Sequence, residues 1–145
     1  LELSLSGELR PGTQATFSYA YLDAVVTEST TVDAGQPVQG KRATITPRNS
    51  LSVWLTQRLG DAWTVGGGLN YVGDRFANPG NTVTLPAYTV VDAMAQYRIG
   101  RATTVQLNLR NLFDRRYIVS AHGTSPNLNL PGAPRNVMVT LRHSF

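Results

Sequence analysis

The sequence predicts an all-β chain: a segment of an antiparallel transmembrane β-barrel, about seven strands long. Three observations carry this. Apolar and polar residues alternate with a period of two in seven stretches. The connections between them run short, long, short, long, short, long. Hydrophobic residues are 41% of the chain, yet no apolar run reaches the ~20 residues that a membrane helix needs. Barrel strands alternate lipid-facing and lumen-facing residues, so average hydropathy conceals them.

The first strand falls near 1–9, where Leu1, Leu3, Leu5 and Leu9 alternate with Glu2, Ser4, Ser6 and Glu8. The turn Arg10-Pro11-Gly12-Thr13 has the expected Gly and Pro chemistry. It leads to a second strand near 14–22, with Ala15, Phe17, Tyr19 and Tyr21 on one face and Gln14, Thr16, Ser18 and Ala20 on the other. A long polar connection, 23–48, precedes the third strand near 50–58, whose Leu51, Val53 and Leu55 share a side. Leu59-Gly60-Asp61 turns into a fourth near 62–72, where Trp63, Val65, Leu69 and Tyr71 oppose Thr64, Gly66, Gly68 and Asn70.

Beyond the connection 73–86 lies the fifth strand, near 87–99. Val91, Ala93, Ala95, Tyr97 and Ile99 oppose Asp92, Met94, Gln96 and Arg98. Gly100-Arg101 starts the sixth, near 102–112, with Val105, Leu107 and Leu109 against Thr104, Gln106, Asn108 and Arg110. The connection 113–135 precedes the last strand, near 136–145. There Val137, Val139, Leu141 and Phe145 oppose Asn136, Met138, Thr140, Arg142 and Ser144.

Short turns at one end and long loops at the other are the pattern of outer-membrane barrels, periplasmic and extracellular respectively. On this reading the last strand descends and ends in the periplasm, with one face to lipid and the other to a wet lumen. Trp63 and Tyr71 share the apolar face. With ~3.3 Å per residue and a tilt near 45°, they lie roughly 19 Å apart along the membrane normal, close to the two edges of an apolar band ~25 Å tall. Two residues run against the assignment: Trp54 on the lumen face and His143 on the lipid face. Gly66-Gly67-Gly68, inside a strand, suggests a bend or the close approach of another element.

Little points to covalent chemistry. The absence of cysteine excludes disulfides and thiolate sites. His122 and His143 fall on opposite sides of the membrane, so no shared metal site is expected. There is no HExxH motif and no Gly-Lys phosphate loop. Ser120, Ser125 and Ser144 lack a nucleophile-elbow context. The nine carboxylates show no spacing that argues for an acid–base pair. No enzymatic activity and no cofactor are expected. The net charge of +4 comes from 13 scattered Lys and Arg residues, without the basic and aromatic clustering that nucleic acid requires.

Several motifs resemble one family. NLFDRRY at 111–117, PGAPR at 131–135 and a last strand ending in Phe145 resemble the C-terminal signature of TonB-dependent outer-membrane receptors. LPAYTVVDAMAQYRI at 85–99, SYAYLDA at 18–24 and WTVGGGLNYVGDR at 63–75 are similar to siderophore receptors of that family. The resemblance implies a 22-stranded barrel plugged by an N-terminal domain. It implies import of a ferric siderophore, driven by the TonB system through regions outside this sequence. Its motif residues here are Asn111, Leu112, Phe113, Asp114, Tyr117, Pro131, Gly132, Pro134 and Arg135.

Physically these residues look structural. Asn111 and Asp114 bracket a strand end, where short polar side chains bond nearby backbone. Pro131, Gly132 and Pro134 shape the loop before the last strand. Arg135 either pairs with a carboxylate, Asp114 being one choice, or is a solvated rim residue. Val137, Val139, Leu141 and Phe145 resemble the signal read by the barrel-assembly machinery, from which His143 departs. Lys41, Arg42, Arg48, Arg75, Arg115 and Arg116 fall in the outer loops, where positive charge attracts an anionic ferric chelate or lipopolysaccharide phosphates. Ordinary solvation is the plainer role for any one of them.

Residue 1 is Leu, and no signal-peptide pattern follows it. The expectation is a C-terminal piece of a barrel domain, 1–145, without plug or signal peptide. Seven strands leave edges that lipid cannot satisfy, so an autonomous transporter is not expected. One competing reading is a small outer-membrane barrel with a structural or adhesive role. It needs an even strand count, hence an odd number of strands hidden in 23–48. Another is a soluble β-sandwich binding module.

Overall fold

The computed structural model describes every residue except 124, 126 and 127. The strands, in chain order, are β1 (Glu2–Arg10), β2 (Thr13–Tyr21), β3 (Val32–Asp33), β4 (Gln36–Pro37), β5 (Asn49–Leu59), β6 (Trp63–Val72) and β7 (Arg75–Phe76). There follow β8 (Thr84–Leu85), β9 (Tyr88–Ile99), β10 (Thr103–Arg110), β11 (Ile118–Ser120), β12 (Leu130–Pro131) and β13 (Asn136–His143). The seven long strands form one sheet in the order β1-β2-β5-β6-β9-β10-β13. Every neighbouring pair is antiparallel. They are the seven strands read from the sequence, with ends moved by one or two residues.

The long connections are more ordered than their polar composition suggests. Each folds a small hairpin: β3–β4, β7–β8 and β11–β12. In 23–48 the two strands are two residues each, too short to cross a bilayer and even in number. The hidden wall strand that a small self-closing barrel requires is therefore not there. A β-sandwich needs a second sheet stacked ~10 Å away. Among the described residues the only other sheets are the three loop hairpins.

The register extends each strand's alternation into continuous rows. One row runs Leu3, Tyr19, Leu51, Tyr71, Thr89, and the next Leu5, Phe17, Val53, Leu69, Val91. Near the short turns a row runs Leu59, Trp63, Tyr97, Val105, Leu141. The opposite face carries rows such as Ser4, Ser18, Ser52, Asn70. A one-residue slip in any pair would mix the faces, so the patterning specifies the register. The Trp63 and Tyr97 rings sit 4.7 Å apart at the short-turn edge. At the other edge the Tyr19 hydroxyl donates to Asn49 Oδ1 at 2.7 Å. Aromatic rings thus mark both borders of the apolar face.

The two misfits have local causes. Trp54 pairs directly with Gly68, and a Cβ on Gly68 would lie 2.6 Å from the indole and 2.1 Å from the Val53 carbonyl oxygen. The missing side chain makes room for the ring. At Gly66 the corresponding space is taken by Thr56, Met94 and the Leu55 carbonyl. The glycines therefore accommodate close approach by the neighbouring strands. His143 occupies the last row beside the final short turn, its Nδ1 2.8 Å from Thr103 Oγ1 and its ring edge-on to Phe145. A polar ring is tolerated at that border.

The wall has no interior of its own, because lipid and lumen replace a core. The buried side chains lie at the long-loop end: Val38, Ala77, Leu85 and Val90, with the polar Arg75, Asn78 and Asn111.

Candidate functional site at the long-loop end

Loop 22–48 is docked onto loop 73–87 by side chains acting on backbone. Asn78 is fully buried, and its Oδ1 accepts from the N–H groups of Thr82 and Val83 at 3.1 and 2.9 Å. Its Nδ2 donates to Asp33 Oδ2 at 2.5 Å, which also accepts from the Gly80 N–H at 2.8 Å. Asn81 pairs its amide with both backbone groups of one residue: Oδ1 accepts from the Arg42 N–H at 2.8 Å and Nδ2 donates to the Arg42 carbonyl at 3.0 Å. Buried polar groups are tolerable only when satisfied in this way.

Loop 73–87 is tied to loop 111–135 by Arg75. This residue is 2% exposed. Its guanidinium donates to the carbonyls of Ile118 and Val119 at 2.5 and 2.7 Å and lies 5.3 Å above the Tyr88 ring. Tyr117 packs against the same Tyr88 ring, with centroids 4.3 Å apart. Arg75 was grouped by sequence with the ligand-attracting loop cations. The structure places it otherwise: its charge is buried and satisfied by carbonyls, so it serves as a latch.

The motif 111–135 has one organising residue. Asn111 is 3% exposed, at a φ of 50° that Asn tolerates better than most residues. Its Nδ2 donates to the carbonyls of Arg115 and Ala133, each at 2.9 Å, and its Oδ1 accepts from the Arg115 N–H at 2.8 Å. Its own N–H donates to Asp92 Oδ1 at 2.8 Å, and the Leu112 N–H donates to the Val91 carbonyl. Asp114 Oδ1 accepts from the backbone N–H of Arg135 at 2.9 Å. Asp114 and Arg135 are thus joined, but through backbone; among the described residues no ion pair links their side chains. Pro131 pairs with Ile118 across the β11–β12 hairpin, and Pro134 accepts from Asn136 Nδ2 at 3.0 Å. A Cβ on Gly132 would fall 2.0 Å from a Tyr117 ring carbon, so that ring lies flat on a glycine. Burial first, then the neighbouring Tyr88 and Asp92, holds the Tyr117 phenol above its ordinary pKa.

The remaining loop cations divide in two. Arg42 lies 3.4 Å from Asp74 and over the Phe76 ring, and Arg48 lies 2.8 Å from Asp23. Lys41, Arg115 and Arg116 carry no ion pair among the described residues. Phe113 is 74% exposed in the same turn as the two arginines.

A meander with one apolar and one polar face, short turns at one end and a stitched loop layer at the other, defines a class: the wall of a transmembrane β-barrel. Residues 1–112 match the sequence model described as TonB dependent receptor-like, beta-barrel, and the chain belongs to that family. It is 32% identical over 149 residues to the metal-pseudopaline receptor CntO of Pseudomonas aeruginosa, covering 99% of this chain and 20% of that protein. It is 35% identical over 152 residues to the ferric-pyoverdine 358 receptor of Pseudomonas putida, covering 100% of this chain and 17% of that one. The crystal structure of the siderophore receptor PiuA from Acinetobacter baumannii superposes with a TM-score of 0.86 at 27% identity, over 97% of this chain and 21% of that chain. The chain thus spans about a fifth of the length of these relatives. It is part of the wall of a larger outer-membrane barrel. The motifs at 111–117 and 131–135 extend past the family match but lie within the similarity to both receptors.

Proposed function

We propose that this chain supplies barrel wall and outer loops to a receptor that imports a metal–siderophore chelate, with no covalent chemistry of its own. The observation that carries this is similarity along essentially the whole chain to ferric-pyoverdine and metal-pseudopaline receptors. The ferric chelate is the first choice of cargo. Energy comes from the TonB system through an N-terminal plug region, so residues 1–145 act as the C-terminal part of the barrel domain and not as an autonomous transporter. Lys41 and Arg116, charged without a paired carboxylate, attract the anionic chelate. The exposed residues Val137, Val139 and Leu141 of β13, with Phe145 just beyond its end, engage the barrel-assembly machinery. The apolar rows meet outer-membrane lipid and lipopolysaccharide.

The test is uptake of labelled ferric chelates by iron-starved cells carrying the full-length receptor. Uptake is expected to require the receptor and to stop when the inner-membrane proton gradient is collapsed. Lys41→Glu with Arg116→Glu is expected to slow surface binding at low ionic strength. Uptake and surface binding unchanged by both reversals would remove the electrostatic part of the proposal. Uptake independent of the proton gradient would remove the transport part.

A further inference from the structure

We propose that the outer border of the apolar face holds a binding groove for a phosphorylated lipid of the outer leaflet. Phe113 is its apolar wall and Arg115 its phosphate contact. The proposal rests on the outer-membrane reading above and adds a specific site to it. The groove, about 400 Å³, has among its lining residues Tyr71 of β6, Tyr88, Thr89 and Val91 of β9, and Phe113 and Arg115 of the turn after β10.

Four features argue for a lipid occupant. First, β6, β9 and β10 each have both sheet neighbours present, so the groove does not depend on the open edges of the sheet. Second, Tyr71, Thr89 and Val91 belong to the two apolar rows nearest the long loops. This is the depth where acyl chains give way to headgroups. Third, Phe113 is 74% exposed on the same side, an exposure that costs free energy in water and little in lipid. Fourth, Arg115 has no carboxylate within ion-pair distance among the described residues, while its backbone is held on both sides by the buried Asn111 amide. An unpaired cationic side chain is therefore anchored by its backbone at the headgroup end of an apolar groove. The chain sorts its side chains at this rim: Tyr117 goes to the lumen side with Asn70 and Asp92, Phe113 and Arg115 to the lipid side, and Tyr88 borders both. A free phosphate ion would use Arg115 and leave Phe113 and Val91 unexplained. A lipid carrying a phosphate uses both ends.

The experiment uses the full-length receptor, delipidated in detergent and titrated with diphosphorylated lipid A or its dephosphorylated form, with occupancy read by native mass spectrometry. A basic residue at an anionic lipid surface is worth about fivefold in affinity. The wild type is expected to prefer the phosphorylated lipid by at least that factor. Arg115→Gln is expected to abolish the preference, Arg115→Lys to retain it, and Phe113→Ala to weaken both lipids alike. A wild type without preference, or Arg115→Gln with its preference intact, would overturn the groove. Heat-modifiable migration on gels, scored on each sample, separates the two levels. A folded barrel without lipid preference overturns the groove alone, whereas a protein that never inserts overturns the membrane reading beneath it.

Discussion

Removing the Arg75 guanidinium is the sharpest test of the loop layer. Arg75→Ala deletes two charge-assisted hydrogen bonds, to Ile118 and Val119, and the stacking on Tyr88. Such bonds are worth ~1.5–3 kcal/mol each and the cation–π contact ~0.5–1 kcal/mol. Once the hairpin lifts, water satisfies the freed carbonyls, so a net loss of about 3 kcal/mol is the reasonable figure. At 1.4 kcal/mol per decade, local opening of the β11–β12 hairpin becomes roughly 100-fold more frequent. Hydrogen exchange on the inserted full-length receptor reads this directly in the amides of residues 118–120, Leu130 and Gly132. The wall amides of β6 and β9 should be unchanged, since Arg75 donates only to loop carbonyls. Arg75→Lys should recover part of the protection, because one ammonium can donate to both the Ile118 and Val119 carbonyls but loses the second nitrogen's bond to Gly73 and the planar stacking on Tyr88. Arg116→Ala, at an exposed position without an ion pair, is the control and should change nothing. Hairpin protection in Arg75→Ala equal to wild type would refute the latch.

Gly68→Ala should lower the folded fraction in vesicles by an amount equivalent to ~1–3 kcal/mol, because its Cβ meets the Val53 carbonyl as well as the indole. Adding Trp54→Ala should rescue it incompletely, and full rescue would show that the ring alone sets the constraint. Asn111→Ala should release the 111–115 turn and sharply raise protease cleavage within 113–135, with Asn111→Asp, which keeps only the acceptor, intermediate. Equal cleavage of both variants and wild type would dismiss Asn111 as the organiser. Because burial favours the neutral Tyr117 phenol, docking of its hairpin should be complete below the ordinary tyrosine pKa and weaken as pH rises through the raised value. Tyr117→Phe should remove that alkaline loosening from a pH series of protease sensitivity. Loosening that persists in the variant would assign it to another group.

The wall was legible residue by residue. Leu3, Tyr19, Leu51 and Tyr71 share a face because each strand's period-two pattern fixes the side its residues take. Short turns set the pairing of Leu3 with Tyr19 and Leu51 with Tyr71, while the pairing of Tyr19 with Leu51 spans the long connection 23–48 and came from the structure. The motif at 111–117 was visible as a motif. Its mechanics were partly visible, since Asn and Asp at a strand end bond backbone by their nature. Arg75 shows where legibility stopped. Its neighbours in sequence, Asp74 and Phe76, do not distinguish a buried arginine from a solvated one. Its partners lie more than forty residues away, at Ile118 and Val119. Asp33, Asn78 and Asn81 were likewise unremarkable polar loop residues until two loops met.

What the sequence alone determined was the all-β class, the seven wall strands, their faces and the sidedness of their connections. These follow from local rules: alternation, turn residues and strand length. What only the tertiary structure decided was which loop polar groups became buried, which cations kept an open charge, and why Trp54 tolerates its face. Those outcomes depend on contacts between segments far apart in the chain. The identity of the side chains does not encode which distant carbonyl or glycine they will meet.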